Sequence, residues 1–199
     1  LVDSYVSVGK EEKTLTVDNL APGTYYVRIN RWNHHGYYTL KYVQTDNNVR
    51  NDSEKNDTFN NAVKIGRGQT LTGHLGYLYA NDDDRDKEDW YKFEVPRDGQ
   101  AQFTIKPSGA IEIHYLELYY YNSTDGKVYG RGGTGSDSYI NVGKEEKTLT
   151  VDNLAPGTYY VRINRWNHHG SYSLKYTFTQ NPYATDKEPN NVFNQALDH

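Results

Sequence analysis

Polar and apolar residues alternate along most of the chain, with the two-residue period that is typical of half-buried β-strands. The alternation is clearest in TYYVRINRW at 158–166 and in SYSLKYTFT at 171–179. No segment sustains a helical period, and only EKNDTFNNAV at 54–63 could form a helical turn. The pattern therefore predicts an all-β protein.

Candidate strands follow one another from residue 69 to residue 179, with turn sequences such as RDGQ, STDGK, APGT and HHGS between them. Many short antiparallel strands with regularly spaced turn signals are typical of two packed sheets. We therefore expect an antiparallel β-sandwich. The predicted strands cover 69–76, 89–96, 99–107, 111–121, 138–143, 147–154, 157–166 and 171–179.

The alternation also assigns side chains to faces, because successive residues of a strand point to opposite sides of a sheet. Inward positions are predicted at Tyr159, Val161, Ile163, Tyr172, Leu174, Tyr176 and Phe178. The outward row of the first strand is Tyr160, Arg162, Asn164 and Trp166. This row is either a binding surface or a set of good strand-forming residues that covers a solvated sheet.

A long internal repeat organises the chain. GKEEKTLTVDNLAPGTYYVRINRWNHHG occupies residues 9–36 and recurs without a change at 143–170, an offset of 134 residues. The same offset aligns DSEKNDTFNNAV at 52–63 with DKEPNNVFNQAL at 186–197. The repeat predicts tandem units: the C-terminal part of a preceding unit at 1–46, a complete unit at 51–180 and the start of a following unit at 181–199.

Residues 1–46 would correspond to the last four strands of a unit and would expose an apolar face unless other strands cover it. That face is predicted to consist of Tyr25, Val27, Ile29, Tyr38 and Leu40. We expect the sequence to be part of a longer chain, with donation of strands by another molecule as the alternative. Residues 1–46 and 186–199 together lack everything that matches 66–134, so the two fragments cannot complete one sandwich.

Composition narrows the classes of function. Cysteine and methionine are absent, which excludes disulfides, thiol nucleophiles and cysteine-ligated zinc. The 22 basic and 26 acidic residues nearly balance, which argues against a nucleic-acid partner, and no apolar run is long enough to span a membrane as a helix. The 20 tyrosines, together with many Asn, Gly and Thr residues, are typical of exported bacterial repeat proteins. We expect an extracellular or cell-surface location.

A series of motifs resembles the bacterial pre-peptidase C-terminal domain, a group to which the collagen-binding domains of bacterial collagenases are similar. In chain order they are E-x-N-D-T-F-x-x-A from Glu54, G-x-L from Gly73, D-x-x-D-W-Y-x-F-x-V from Asp86, L-x-L-Y from Leu116, L-A-P-G-T-Y-Y-V-R-I from Leu154 and G-x-Y-x-L-x-Y from Gly170. The resemblance implies a jelly-roll-like β-sandwich in a secreted protein.

The resemblance also implies a calcium site between the segment that leads into the unit and the loop before the D-W-Y strand. Its ligands would be Asp52, Glu54, Asn56, Asp57, Asp86 and Asp89, with a partial second site at Asp186, Glu188, Asn190 and Asn191. Calcium prefers about six to eight oxygen ligands, which carboxylates, amides and backbone carbonyls supply. Asn191 stands where the first site has Asp57, so the second site would carry one charge less. Asp82, Asp83 and Asp84 are expected to form a solvated acidic loop.

Other chemistry finds little support in the sequence. Adjacent histidines in the NHHG turns, at 34–35 and 168–169, point in different directions on a turn, which favours a loop role over metal binding. No HExxH, GxSxG or phosphate-binding loop is present, so we expect no catalysis in this segment.

Two functions remain. The first is a calcium-stabilised repeat of an extracellular stalk, fibre or matrix protein, whose partners would be neighbouring units and other copies of the chain. The second is an accessory module that binds collagen, another protein fibre or a polysaccharide for a secreted peptidase or hydrolase. The identical copies favour the first, and the outward aromatic row favours the second.

Overall fold

A computed structural model describes residues 4–46, 49, 54–78, 86–130 and 139–182. It divides the chain into two compact units, one made of 1–48 with 77–85 and the other of 49–76 with 86–199. Asp52, the Asp82–Asp84 loop and the predicted second calcium site at 186–191 lie outside the described residues. No helix in the described part of the chain is long and apolar enough to cross a membrane.

In its described residues the larger unit has ten strands and one short 3-10 helix, η1, at Phe59–Asn61. The helix lies in the only segment whose sequence allowed a helical turn. The strands are β1 (Val63–Lys64), β2 (Thr70–Leu75), β3 (Glu88–Val95), β4 (Gly99–Pro107), β5 (Glu112–Asn122), β6 (Lys127–Gly130), β7 (Tyr139–Gly143), β8 (Lys147–Leu154), β9 (Gly157–Asn167) and β10 (Gly170–Gln180).

These strands form two sheets, and the all-β prediction is confirmed. The six-stranded sheet has the order β1-β3-β9-β5-β6, with β7 also paired to β5, and the four-stranded sheet has the order β2-β10-β4-β8. All strand pairs are antiparallel except β1 with β3, which is parallel. The sequence did not predict β1 or β6, because strands of two and four residues are too short to show a two-residue period.

The core lies between the inner faces of the two sheets. Its centre is an aromatic group in which Phe103 stacks on Tyr176 with ring centroids 4.9 Å apart, and Phe93 meets both rings edge-on or tilted at 4.8 and 4.9 Å. Every inward position that the alternation predicted is buried. The two-residue period therefore gave the correct strand faces for β9 and β10.

The smaller unit contains no strand within residues 4–46. It has one isolated parallel bridge, in which Leu78 N donates to Asn19 O at 2.7 Å and Ala21 N donates to Leu78 O at 2.9 Å. The face predicted to lack a cover is exposed: the five side chains range from 38% at Tyr25 to 71% at Tyr38.

Candidate metal site and outer sheet face

The segment that leads into the larger unit is attached to the start of β3. Trp90 N donates a hydrogen bond to Asn56 O at 3.0 Å, so residues 54–57 run beside the strand that carries Asp89. Asp86 lies two residues before β3 begins. Two sequence clusters separated by about thirty residues are thus brought to one end of one strand.

Three carboxylates meet at this place. Glu54, Asp57 and Asp86 each offer a carboxylate oxygen, and the three oxygens lie within 4.8 Å of one another. Asp86 is 2% exposed, and the other two are half-buried. Like charges this close, one of them buried, repel one another unless a proton or a cation lies among them.

Asp86 is fixed in position by backbone and side-chain donors. Gly76 N donates to Asp86 Oδ2 at 3.0 Å, and Arg165 Nε donates to the Asp86 carbonyl oxygen at 2.7 Å. Gly76 has a φ of +94°, and a Cβ there would lie 2.6 Å from His169 Cβ. The glycine therefore serves both the backbone conformation and the close packing against the turn after β9.

Asn56 is the most unusual polar residue of the site. It is 0% exposed, and within the described part of the chain neither its Oδ1 nor its Nδ2 has a hydrogen-bond partner. A buried amide without partners costs about 1–3 kcal/mol. An amide oxygen is also a good ligand for calcium, so binding a cation would remove part of that cost.

Asp89 is buried inside β3 but is not one of the three clustered carboxylates. It is 0% exposed and accepts a short hydrogen bond from Tyr172 OH. That hydroxyl in turn lies 2.7 Å from Tyr91 OH. The tyrosine pair was not predicted, although two tyrosines at inward positions among apolar residues signal a buried polar partner.

A buried histidine lies near the same end of the sandwich. His74 in β2 is 2% exposed. Burial, together with the nearby charges of His169 and Arg165, lowers the pKa of His74 to about 4. The imidazole is therefore neutral at physiological pH.

The predicted outward row of β9 is mostly covered. Tyr160 is 6% exposed, and the Phe59 ring lies edge-on to it with centroids 5.9 Å apart. The expectation that Tyr160 faces solvent is therefore wrong, because η1 folds over this part of the sheet. Asn164 is half-buried, and its Oδ1 accepts a hydrogen bond from Tyr115 N at 2.9 Å.

Arg162 lies in a charged and aromatic cluster on the same face. Its guanidinium nitrogens lie 2.6 Å from Glu117 Oε2 and 3.2 Å from Glu88 Oε2. Its Cζ lies 5.7 Å from the Trp90 ring centroid and 5.4 Å from that of Tyr119. These contacts give Arg162 a structural role within the sheet.

Trp166 is the one residue of the row that is largely exposed, at 60%. Its ring meets His114 at 4.4 Å, and the neighbouring Tyr115 meets Tyr139 edge-on at 5.3 Å. The structure thus divides the predicted row into a covered part and an exposed aromatic end. That end is the most exposed part of the row.

Comparisons with known proteins agree with the fold. Residues 87–165 match the family model described as the bacterial pre-peptidase C-terminal domain, over the part of the chain that runs from the residue before β3 nearly to the end of β9. No curated protein sequence matches the chain.

Several solved structures are similar at low sequence identity. The pre-peptidase C-terminal domain of a collagenase from Bacillus anthracis is 20% identical, with 58% of this chain and 94% of that chain covered and a TM-score of 0.39. A mitogen from Yersinia pseudotuberculosis is 14% identical, with coverages of 59% and 91% and a TM-score of 0.37. PliG of Salmonella Typhimurium, a periplasmic inhibitor of g-type lysozyme, is 17% identical, with coverages of 59% and 97% and a TM-score of 0.32.

Proposed function

We propose that the larger unit is a calcium-stabilised β-sandwich repeat of an extracellular structural or adhesive protein. The observation that carries the metal part of the proposal is the meeting of three carboxylates beside the buried Asn56 amide. The observation that favours a repeat is the letter-for-letter recurrence of residues 9–36 at 143–170.

The donor set fits calcium better than a transition metal. All the side chains brought together offer oxygen, which suits a hard cation, and the described residues of the cluster include no imidazole or thiolate. Glu54, Asp57 and Asp86 would provide the charge, and Asn56 a neutral oxygen. Asp89, which accepts a hydrogen bond from Tyr172 OH, would stabilise the start of β3.

Calcium would act on stability because its ligands come from separate parts of the chain. Glu54 and Asp57 precede η1, whereas Asp86 precedes β3, so a bound ion would tie the leading segment to the sheet. A ligand that binds only the folded state adds about 2.7 kcal/mol at a concentration one hundred times its Kd. For a unit of this size we expect an increase in Tm on the order of 10 °C.

Thermal unfolding of the full chain with calcium and with a chelator tests the metal site. We expect calcium to raise Tm, Asp86→Asn to remove most of that increase, and Glu145→Gln, which removes an exposed carboxylate in the β7–β8 turn, to leave it intact. Equal melting curves with calcium and with chelator would show that the cluster binds no calcium at the concentrations tested.

The second candidate, an accessory binding module, is favoured by the family match and by the exposed Trp166. An exposed indole next to His114 could stack on a sugar ring or on a proline-rich fibre. Co-sedimentation with insoluble collagen and with polysaccharides, comparing the wild type with Trp166→Ala, distinguishes the two candidates. Binding that is lost in the variant supports the accessory module.

A further inference from the structure

The two copies of the 28-residue sequence have opposite environments. In the copy at 143–170, Leu149, Val161 and Ile163 are 2%, 0% and 0% exposed. Their counterparts Leu15, Val27 and Ile29 are 44%, 69% and 49% exposed. One copy therefore forms β8 and β9 in the core, while the same residues at 9–36 leave their apolar side chains in water.

The copies nevertheless share their turn conformations. Asn19 and Asn153 have φ of 59° and 54°, and His34 and His168 have φ of 61° and 60°. These left-handed conformations are rare for residues other than glycine, so their recurrence in both copies is informative.

Side-chain hydrogen bonds at the turns also recur. Tyr25 OH donates to Ala21 O at 2.8 Å, and Tyr159 OH donates to Ala155 O at 3.0 Å. Arg31 Nη1 and Arg165 Nη1 donate to the carbonyls of the histidines three residues later, at 3.1 and 3.0 Å. The copy at 9–36 thus has the turns of the β8–β9 segment and lacks only the neighbouring strands.

The position that β8 and β9 occupy in the sandwich can accept residues 9–36, because they have the same sequence as the resident copy. β8 pairs with β4, and β9 lies between β3 and β5. Because residues 9–36 and 143–170 are identical, every side-chain contact and backbone bond that the resident copy makes there is available to the other copy.

We propose that residues 9–36 of one molecule take the place of residues 143–170 in a second copy of this chain. The partner is therefore the same protein, and the interaction surface is the set of strand edges left on β3, β4 and β5 when the resident copy leaves. The displaced resident copy is identical to the incoming one and can enter a third molecule. Reciprocal exchange between two molecules gives a closed dimer, and successive head-to-tail exchange gives rings or open-ended oligomers.

Exchange should change the free energy little, but it should be slow. The exchange replaces one set of core contacts by an identical set. The described contacts that it breaks are the two backbone hydrogen bonds between 19–21 and Leu78, the hydrogen bond from Tyr25 OH to Leu78 O and the packing of Ala21 against Tyr77. Release of the resident copy, however, requires removal of β9 from the middle of a sheet. Exchange therefore needs extensive unfolding, and it is fastest during refolding at high protein concentration.

A pair of matched substitutions tests the proposal in the full chain. Val161→Asp places a charge at a fully buried position of the resident copy, and Val27→Asp makes the same change in the other copy, where the side chain is exposed. After refolding from denaturant at high concentration, we expect Val161→Asp to keep the near-ultraviolet circular dichroism of the wild type and to be oligomeric by size-exclusion chromatography with light scattering. The Val27→Asp/Val161→Asp variant should lose the near-ultraviolet circular dichroism signal, because both copies then carry the charge.

Val27→Asp alone should remain folded and monomeric under conditions in which the wild type forms some oligomer. In oligomeric Val161→Asp, the amides of residues 25–29 should be protected from hydrogen exchange. The proposal is overturned if Val161→Asp is as unfolded as the double variant, or if it folds as a monomer. These outcomes do not depend on calcium, so they are independent of the proposed metal site.

Discussion

Tyr172 and Tyr176 allow one substitution to be compared in two environments. Both lie on the inward face of β10, four residues apart, and both are 1% exposed. Tyr172 OH donates to Asp89 and contacts Tyr91 OH, whereas Tyr176 OH has no hydrogen-bond partner within the described residues. Replacing each by phenylalanine removes one oxygen and leaves the ring packing intact.

The expected effects have opposite signs. Removing the donor of a buried hydrogen bond costs about 1–3 kcal/mol, so Tyr172→Phe should lower the free energy of unfolding by about that amount. A buried hydroxyl without a partner costs about 1–3 kcal/mol, so Tyr176→Phe should be neutral or stabilising by about 1 kcal/mol. The two variants should therefore differ by about 1–4 kcal/mol, which is a large share of the stability of a typical domain, about 5–15 kcal/mol.

Urea unfolding followed by near-ultraviolet circular dichroism measures this difference, and both variants should keep the m-value of the wild type. The unfolding should be measured in excess calcium and again in the presence of a chelator. If the two variants lose equal stability in both conditions, the bond from Tyr172 to Asp89 contributes nothing and the account of the buried polar pair is wrong.

Two further predictions concern β2. His74 has a folded pKa of about 4 and an unfolded pKa near 6.5, so the unfolded state binds the proton first and stability falls as pH drops from 6.5 towards 4. The slope of the unfolding free energy against pH should therefore be smaller in His74→Gln than in the wild type. An unchanged slope would contradict the low pKa of His74. Gly73→Ala should destabilise by about 1–3 kcal/mol or more in urea unfolding, because a Cβ there would lie 2.4 Å from Tyr172 Cζ, and an effect below about 0.5 kcal/mol would contradict the packing.

The strands were predictable because burial on one face of a sheet imposes a two-residue period on the sequence. The long strands β5, β9 and β10 lie within one residue of the predicted bounds. The turn glycines and the APGT sequence marked where they end. The parallel β1 pair could not be predicted, because Val63 and Lys64 have no pattern of their own and pair only where the leading segment lies beside β3.

The sequence indicated candidate residues for the site, but not how tertiary contacts arrange them. The carboxylate spacing and the resemblance placed Glu54, Asp57 and Asp86 together, and the structure does the same. The separation of Asp89 from that group by its bond to Tyr172 depends on packing between the two sheets. The cover that Phe59 provides over Tyr160 is likewise a tertiary contact, which alternation within one strand cannot reveal.

The two copies separate what local sequence determines from what neighbours determine. Asn and His positions with positive φ and the tyrosine-to-carbonyl bonds occur in both copies, so the 28 residues keep the same turns in two different environments. The strands occur only where β3, β4 and β5 supply partners, since an isolated pair of strands buries too little apolar surface to offset its loss of conformational entropy. Exact repetition therefore has a physical cost. A sequence that folds correctly only against its own unit's strands fits any other unit's strands equally well, so the order of folding, and not the sequence, must decide which copy occupies each sandwich.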